Sequence, residues 1–205
     1  MTFPLDLFIS ALVTLLVVID PPGCAPIFAS LTTTATDAAR RTMAFRSVLI
    51  AAAILLGFAV AGEPFLKALG ISLDAFRVAG GIMLFLIAID MVFETRTKRR
   101  EERAQSVEQE DVAVFPMAMP MIAGPGSIAS VMLLTGKANT PAESVAVYLA
   151  LLIVLLLTLA ALLAAGPIMR RVGSKVEGMI TRLLGVILAA LAAQIVIDGL
   201  KGAFA

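Results

Sequence analysis

From Val112 to Gly136 the chain runs 25 residues without a charged side chain, and Pro120, Gly124, Pro125 and Gly126 stand in the middle of that run. A stretch this long and apolar has the length needed to cross a bilayer, about 20 residues. Its centre nevertheless holds the residues that interrupt helices. The same combination occurs near the start of the chain, where the apolar segment Leu5 to Leu31 is interrupted between Asp20 and Pro26. Inside hydrocarbon every backbone N–H and C=O must be paired, and unwound segments survive only when buried in protein or lining a wet cavity. Two such segments in one short chain restrict it to an all-α, polytopic membrane fold with a protected interior.

Four further apolar segments accompany the interrupted pair. They run from about Arg46 to Gly62, stopped by Gly62-Glu63-Pro64; from about Phe76 to Phe93, with Arg77 snorkelling at its start; within uncharged Ser144 to Met169, ending at Gly166-Pro167; and from about Thr181 to Leu200. The sequence therefore predicts six transmembrane helices in a single domain over residues 1–205, the first and fourth of them broken. Composition agrees: 60% of residues are hydrophobic and 15% charged, where soluble chains run to roughly a quarter charged. The first segment lacks a basic leader, carries Asp6, and runs into Asp20-Pro21-Pro22-Gly23. It is expected to be a retained span and not a cleaved signal peptide.

The 205 residues carry a net charge of +1, no His and one Cys, Cys24. There is no basic field for nucleic acid. Zinc sites, disulfide frameworks and Ser–His or Cys–His catalysis have almost nothing to be built from, so no catalytic residue, metal site or cofactor is expected. No stretch resembles G-x-x-x-x-G-K-[ST], which disfavours a self-contained ATP-driven pump. Eleven of the 31 charged residues fall between Glu94 and Asp111, a mixed-sign stretch read as a solvated cytoplasmic connector. Loops on one side carry twelve Lys and Arg, against four on the other. By the positive-inside rule the richer side is cytoplasmic and both termini lie outside, which is the periplasmic side for the inner membrane of a prokaryote.

The two halves share landmarks. Pro22-Gly23 aligns with Pro125-Gly126 at an offset of 103, and the same offset carries Pro64 onto Pro167. Arg77-Val78-Ala79-Gly80-Gly81-Ile82 resembles Arg182-Leu183-Leu184-Gly185-Val186-Ile187 at an offset of 105. With three spans in each half, about 1–93 and 112–205, the second half enters from the opposite face, a 3+3 inverted repeat. Paired Gly/Pro-interrupted helices in an inverted repeat point to a transporter site. New half-helices are expected near Cys24 and Ser127, with free N–H groups and positive dipole ends that favour an anion. The two ends should face each other near the midplane, in a pocket suited to a carboxylate. The candidate binding residues are Asp20, Pro21, Pro22, Gly23, Cys24, Pro120, Gly124, Pro125, Gly126 and Ser127. Asp20 has two compatible readings: a helix N-cap before Pro21, and an intramembrane acid engaging an ammonium, a proton or an ion.

Other polar residues have plainer readings. Asp90 and Asp198 are expected near the headgroups or in ion pairs; Gln194, on the same helix face as Asp198, could line the site but is read first as interhelical glue. Ser130, Thr135 and Thr14 flank the interruptions as path-lining candidates, although hydroxyls commonly bond back to their own helix. Gly80-Gly81, Gly57 with Ala61, and Gly185 with Ala189 are read as close-packing positions.

At the two interruptions the sequence resembles the MarC family of bacterial and archaeal inner-membrane proteins, which includes the SnatA-type small neutral amino acid transporters. Asp20-Pro21-Pro22-Gly23-Cys24-Ala25-Pro26-Ile27-Phe28 is similar to the family's D-P-x-G-x-x-P-x-F signature. Phe115-Pro116-Met117-Ala118-Met119-Pro120, followed by Ala123-Gly124-Pro125-Gly126-Ser127-Ile128, is similar to F-P-x-A-x-P…G-P-G-[AS]-I. The resemblance covers essentially the whole chain. It implies a six-helix transporter with two discontinuous helices and, for the characterised branch, secondary transport of glycine, alanine and similar amino acids. Cys24 departs from the Asn expected in many relatives, which removes an amide donor and acceptor beside the implied site.

The combined expectation is a secondary active transporter of small neutral amino acids. Proton or sodium is the coupling ion, Asp20 the coupling residue, and access alternates as one repeat rocks against the other. A homo-oligomer is compatible with so small a bundle. Two alternatives stand beside it: an exporter of another metabolite, ion or drug on the same scaffold, and a membrane scaffold or sensor acting through the 94–111 connector.

Overall fold

The computed structural model describes residues 4–93 and 111–204, with the side chains of 166–177 outside that description. The connector between Glu94 and Glu110 therefore lies outside the described residues. The regular elements are α1 (Leu5–Ile19), α2 (Pro21–Leu31), α3 (Asp37–Ala68), α4 (Leu73–Val92), the wide-turned α5 (Ala113–Ile122), α6 (Pro125–Thr135), α7 (Pro141–Leu163) and α8 (Ala165–Phe204). Several starts follow from local chemistry. Thr36, Ser72 and Thr140 cap α3, α4 and α7 by accepting from the amide three residues on. Thr140 and Glu143 close a reciprocal capping box, which pairs two otherwise open amides.

Among the described residues five helices are long and apolar enough to cross a membrane: Leu5–Leu31 as one path through α1 and α2, then α3, α4, α7 and the Gly178–Phe204 part of α8. A bent pair, α5 with α6, meets at 52° and makes a sixth if it crosses as one span. The outer surface is that of a lipid-facing protein. Leu49, Val60, Leu183 and Val186 each leave 60% or more of their surface open, where a soluble monomer keeps apolar patches small.

The main apolar cluster joins α1, α2, α3, α5 and α7 around Leu15, Phe28, Leu55, Met117 and Leu151, all buried. A smaller cluster joins α1, α4 and α8 around Val17, Leu84, Met91 and Leu188. α3 lies along α5 and α6, and α7 along α1 and α2; α4 meets α6, α8 meets α2, and α4 and α8 pair most extensively with each other.

Small residues set that last contact. A Cβ on Gly81 would lie 3.0 Å from the Ala192 carbonyl oxygen and 3.1 Å from the Val196 nitrogen. One on Gly185 would lie 2.9 Å from Met91 Cβ and 3.2 Å from the Ala88 carbonyl oxygen. Backbone atoms cannot rotate aside, so Gly81→Ala must push α4 from α8, at about 1–3 kcal/mol for overpacking. Gly57, read from the sequence as another close-packing position, has nothing within 4 Å of its Cβ position. Gly57→Ala should therefore be neutral or stabilising by up to about 1 kcal/mol, from helix propensity alone. Thermal unfolding in detergent, followed by circular dichroism, checks both: the midpoint falls for Gly81→Ala and holds or rises for Gly57→Ala.

Several element limits differ from the sequence expectation. α3 does not stop at Gly62-Glu63-Pro64 but continues through Pro64 to Ala68. A proline so near the end forfeits one intrahelical bond. The final turn is held by the Leu69 amide on the Phe65 and Leu66 carbonyls and by the Lys67–Glu63 ion pair at 2.8 Å. α7 ends at Leu163, short of Gly166-Pro167, and α8 starts at Ala165. Pro167 thus falls in a first helical turn, where its missing N–H would have had no intrahelical partner.

Candidate functional site

Asp20 precedes Pro21, and a residue before proline is disfavoured in the right-handed helical region. It takes the left-handed conformation instead, φ 58° and ψ 66°, which Asp tolerates better than most side chains. One residue thereby ends α1 and begins α2. Its amide donates to the Leu16 carbonyl at 3.0 Å, and its carboxylate accepts from the Gly23 amide at 3.1 Å. The interruption is confined to Asp20, narrower than the Asp20–Pro26 window read from the sequence, and Pro26 lies inside α2. The side chain is 1% exposed. The carboxylate replaces a shared solvent with a fixed cap.

The first turn of α2 consequently offers no open amide. Pro21 and Pro22 have no N–H, the Gly23 amide is held by Asp20, and the Cys24 amide already bonds the Asp20 carbonyl at 3.0 Å. This corrects the expectation of a half-helix starting near Cys24 with free donors. Cys24 is fully buried and its thiol donates to the Ile19 carbonyl at 3.4 Å.

The second interruption is built differently. Phe115 and Met119 each precede a proline, and both adopt extended angles near φ −130°, as pre-proline residues prefer. The Phe115–Pro116 and Met119–Pro120 peptide bonds are cis. The helical path widens here, with the Met117 amide reaching the Val112 carbonyl at 3.3 Å and the Ala123 amide the Ala118 carbonyl at 2.9 Å. The chain then turns through Ala123 and Gly124, where a Cβ on Gly124 would overlap the Pro120 carbonyl oxygen. α6 opens on Pro125 and not near Ser127, with Gly124 as an N-cap that has no side chain to accept from the amides behind it. The Ile128 amide is the first to find a helical carbonyl, that of Gly124, at 3.0 Å.

Of the ten residues read from the sequence, Asp20, Pro21, Gly23, Cys24, Gly124, Gly126 and Ser127 are buried; Pro22 and Pro120 are half-buried and Pro125 is exposed. The two interruptions border one body of apolar side chains that holds Ile19, Cys24 and Ala25 together with Ala118, Ile122 and Ala123. A Cβ on Gly126 would lie 3.3 Å from Val18 Cγ1, which places the start of α6 beside the end of α1.

A cavity of about 90 Å³ lies between α1, α6 and α8, and none of those ten residues lines it. Its polar lining is Ser10, Thr14, Ser130, Lys137 and Gln194. Thr14, Ser130 and Gln194 stood out in the sequence as polar residues in apolar runs; Ser10 and Lys137 did not. Ser10 and Thr14 are four residues apart and so share a helix face, the one local signal that pairs them. Gln194 does not act as interhelical glue: its amide donates to Asp198 on its own helix at 2.7 Å, and Asp198 in turn faces Lys137 at 3.6 Å. Among the described residues no group of three or more His, Cys, Asp or Glu is placed to hold a metal ion.

Comparison with known proteins agrees with the membrane character of the chain. The family model described as MarC family integral membrane protein matches residues 5–204. The UPF0056 membrane protein MJ1677 of Methanocaldococcus jannaschii is 40% identical over 202 residues, covering 97% of this chain and 98% of its own. The UPF0056 membrane protein YvbG of Bacillus subtilis is 35% identical, covering 94% and 93% of the two chains. The UPF0056 inner membrane protein YhgN of Escherichia coli is 34% identical, covering 94% and 95%. No solved structure matches the chain. With its model matched almost end to end and relatives in both bacteria and archaea, the chain belongs to the MarC family of integral membrane proteins.

Proposed function

We propose that this protein is a secondary active transporter of small neutral amino acids such as glycine and alanine, driven by a proton or sodium gradient. The observation that carries the reading is the pairing of a buried carboxylate, Asp20, at one helix interruption with an uncapped helix start, Pro125–Ser127, near the other. The α6 start presents the Gly126 and Ser127 amides and a positive dipole end to a substrate carboxylate. Asp20 supplies the negative charge for the substrate ammonium or the coupling ion. An acid held at this depth in a membrane protein belongs to substrate or ion pathways by default.

Six crossings are supported by two contacts along α3. Arg46, near its start, pairs with Asp111 at 2.8 Å, and Gly62, sixteen residues later, lies against the Met132 side chain of α6. At a rise of 1.5 Å per residue that interval is about 24 Å, most of a hydrocarbon core of about 30 Å. The α5–α6 pair thus accompanies α3 across the membrane. Helix neighbours also exchange under the repeat: α3 on α5 and α6 matches α7 on α1 and α2, and α4 on α6 matches α8 on α2. These relations favour a 3+3 inverted repeat and alternating access by rocking of one repeat against the other; the excess of Lys and Arg in the loops of one side puts both termini on the other, outer side.

The test is uptake of labelled glycine and alanine into proteoliposomes, with proton and sodium gradients imposed in turn. Gradient-dependent accumulation above equilibrium is the expected result. Correctly inserted protein that accumulates neither amino acid under either gradient would refute the assignment.

A further inference from the structure

Hydroxyl groups within these helices mostly satisfy themselves. Ser47, Thr135 and Thr158 donate to the carbonyl four residues back, at 2.8, 2.9 and 2.8 Å. Ser130 does not. It is 1% exposed, its hydroxyl has no partner, and it lines the cavity between α1, α6 and α8. A buried polar atom without a partner is rare and asks for a missing water or ligand. Thr14, 4% exposed, and Ser10 add two more hydroxyls on the facing side of the space.

At the rim stands a charge pair of no net charge. Lys137 and Asp198 are 3.6 Å apart, each about one-third exposed, with Gln194 bonded to the same carboxylate. Leu191 and Ile195 provide apolar wall. A cation alone would leave Lys137 repelled, and an anion alone would do the same to Asp198. A net-neutral molecule with separated charges exchanges the one ion pair for two charge-assisted contacts, which are the stronger class of hydrogen bond. Its polar atoms reach the hydroxyls, and a small side chain meets Leu191 and Ile195.

We propose that this cavity is a binding site for a small zwitterion, an amino acid of glycine or alanine size, separate from the helix interruptions. Thr14 lies six residues before Asp20, about 9 Å along the helix, and Ser130 lies three residues after Ser127, about 4.5 Å. Ser10, on the α1 start side, is exposed and Lys137, just beyond the α6 end, is half-buried, while Thr14 and Ser130 are buried; the cavity is thus a vestibule in which the molecule docks before reaching the interruptions. The site stands on its own geometry, and its role as the first stop of the transported amino acid rests on the transport reading above.

Ser130→Cys in the full-length protein, reconstituted in nanodiscs, tests it through the rate of reaction with a water-soluble maleimide. Wild type, whose one thiol is buried Cys24, gives the background. The expected result is labelling at position 130 that alanine slows in a saturable way, while choline and acetate, each with a single charge, do not. No labelling, or labelling indifferent to alanine, or equal slowing by choline or acetate, overturns the site. Thr14→Val and Gln194→Leu supply a second readout in uptake: the alanine KM rises about tenfold with the maximal rate kept, and an unchanged KM in both overturns the site. Wild-type uptake without protection at position 130 removes the vestibule and leaves transport standing. Protection without uptake does the reverse.

Discussion

Asp20→Asn leaves the protein folded and inserted but lowers gradient-driven alanine accumulation about 10- to 100-fold. Asn is as good an N-cap as Asp and one of the few side chains that tolerate the left-handed conformation found here, φ 58°. Its amide oxygen can still accept from the Gly23 amide, so the junction of α1 and α2 keeps its form. What disappears is the charge. A hydrogen bond to a charged group contributes about 1.5–3 kcal/mol, and at 1.4 kcal/mol per factor of ten this gives the stated loss. Proteoliposome uptake measured beside thermal unfolding separates the two roles. Uptake that survives in the Asn variant assigns Asp20 to capping alone. Asp20→Ala differs in kind, because it also strips the Gly23 amide of its buried partner, and should lower stability by about 1–3 kcal/mol.

Gly23→Ala places a methyl on the Asp20 cap itself. A Cβ at that position would coincide with the Asp20 carboxylate, so the side chain must leave the cap or the first turn of α2 must unwind. Either way a 1% exposed carboxylate loses its place. Gly124→Ala is the counterpart at the second interruption, where the methyl meets the Pro120 carbonyl oxygen, a backbone atom that no rotamer change can move. Both variants should unfold at clearly lower temperature, by the equivalent of about 1–3 kcal/mol, and accumulate no alanine. The informative contrast is Gly57→Ala, the same chemical change in a helix with nothing near it. Were Gly23→Ala to match Gly57→Ala in both unfolding and uptake, the Asp20 cap would have no structural or functional role.

Membrane character, the apolar spans and the location of the two interruptions were legible in the order of residues. These properties are local. A run of 25 uncharged residues from Val112 to Gly136 has one solvent that suits it, and a following proline disfavours helical angles at Asp20, Phe115 and Met119, all three of which are non-helical. The tertiary structure decided what depends on atoms brought from elsewhere in the chain. Gly57 and Gly81 look alike as small residues in apolar runs, and only the approach of Ala192 and Val196 makes one of them essential. The cavity needs Ser10 and Thr14 from α1, Ser130 from α6 and Gln194 from α8. A helix pattern tells which residues share a face, and it is the neighbour across that face, set by the whole bundle, that turns a polar side chain into a site.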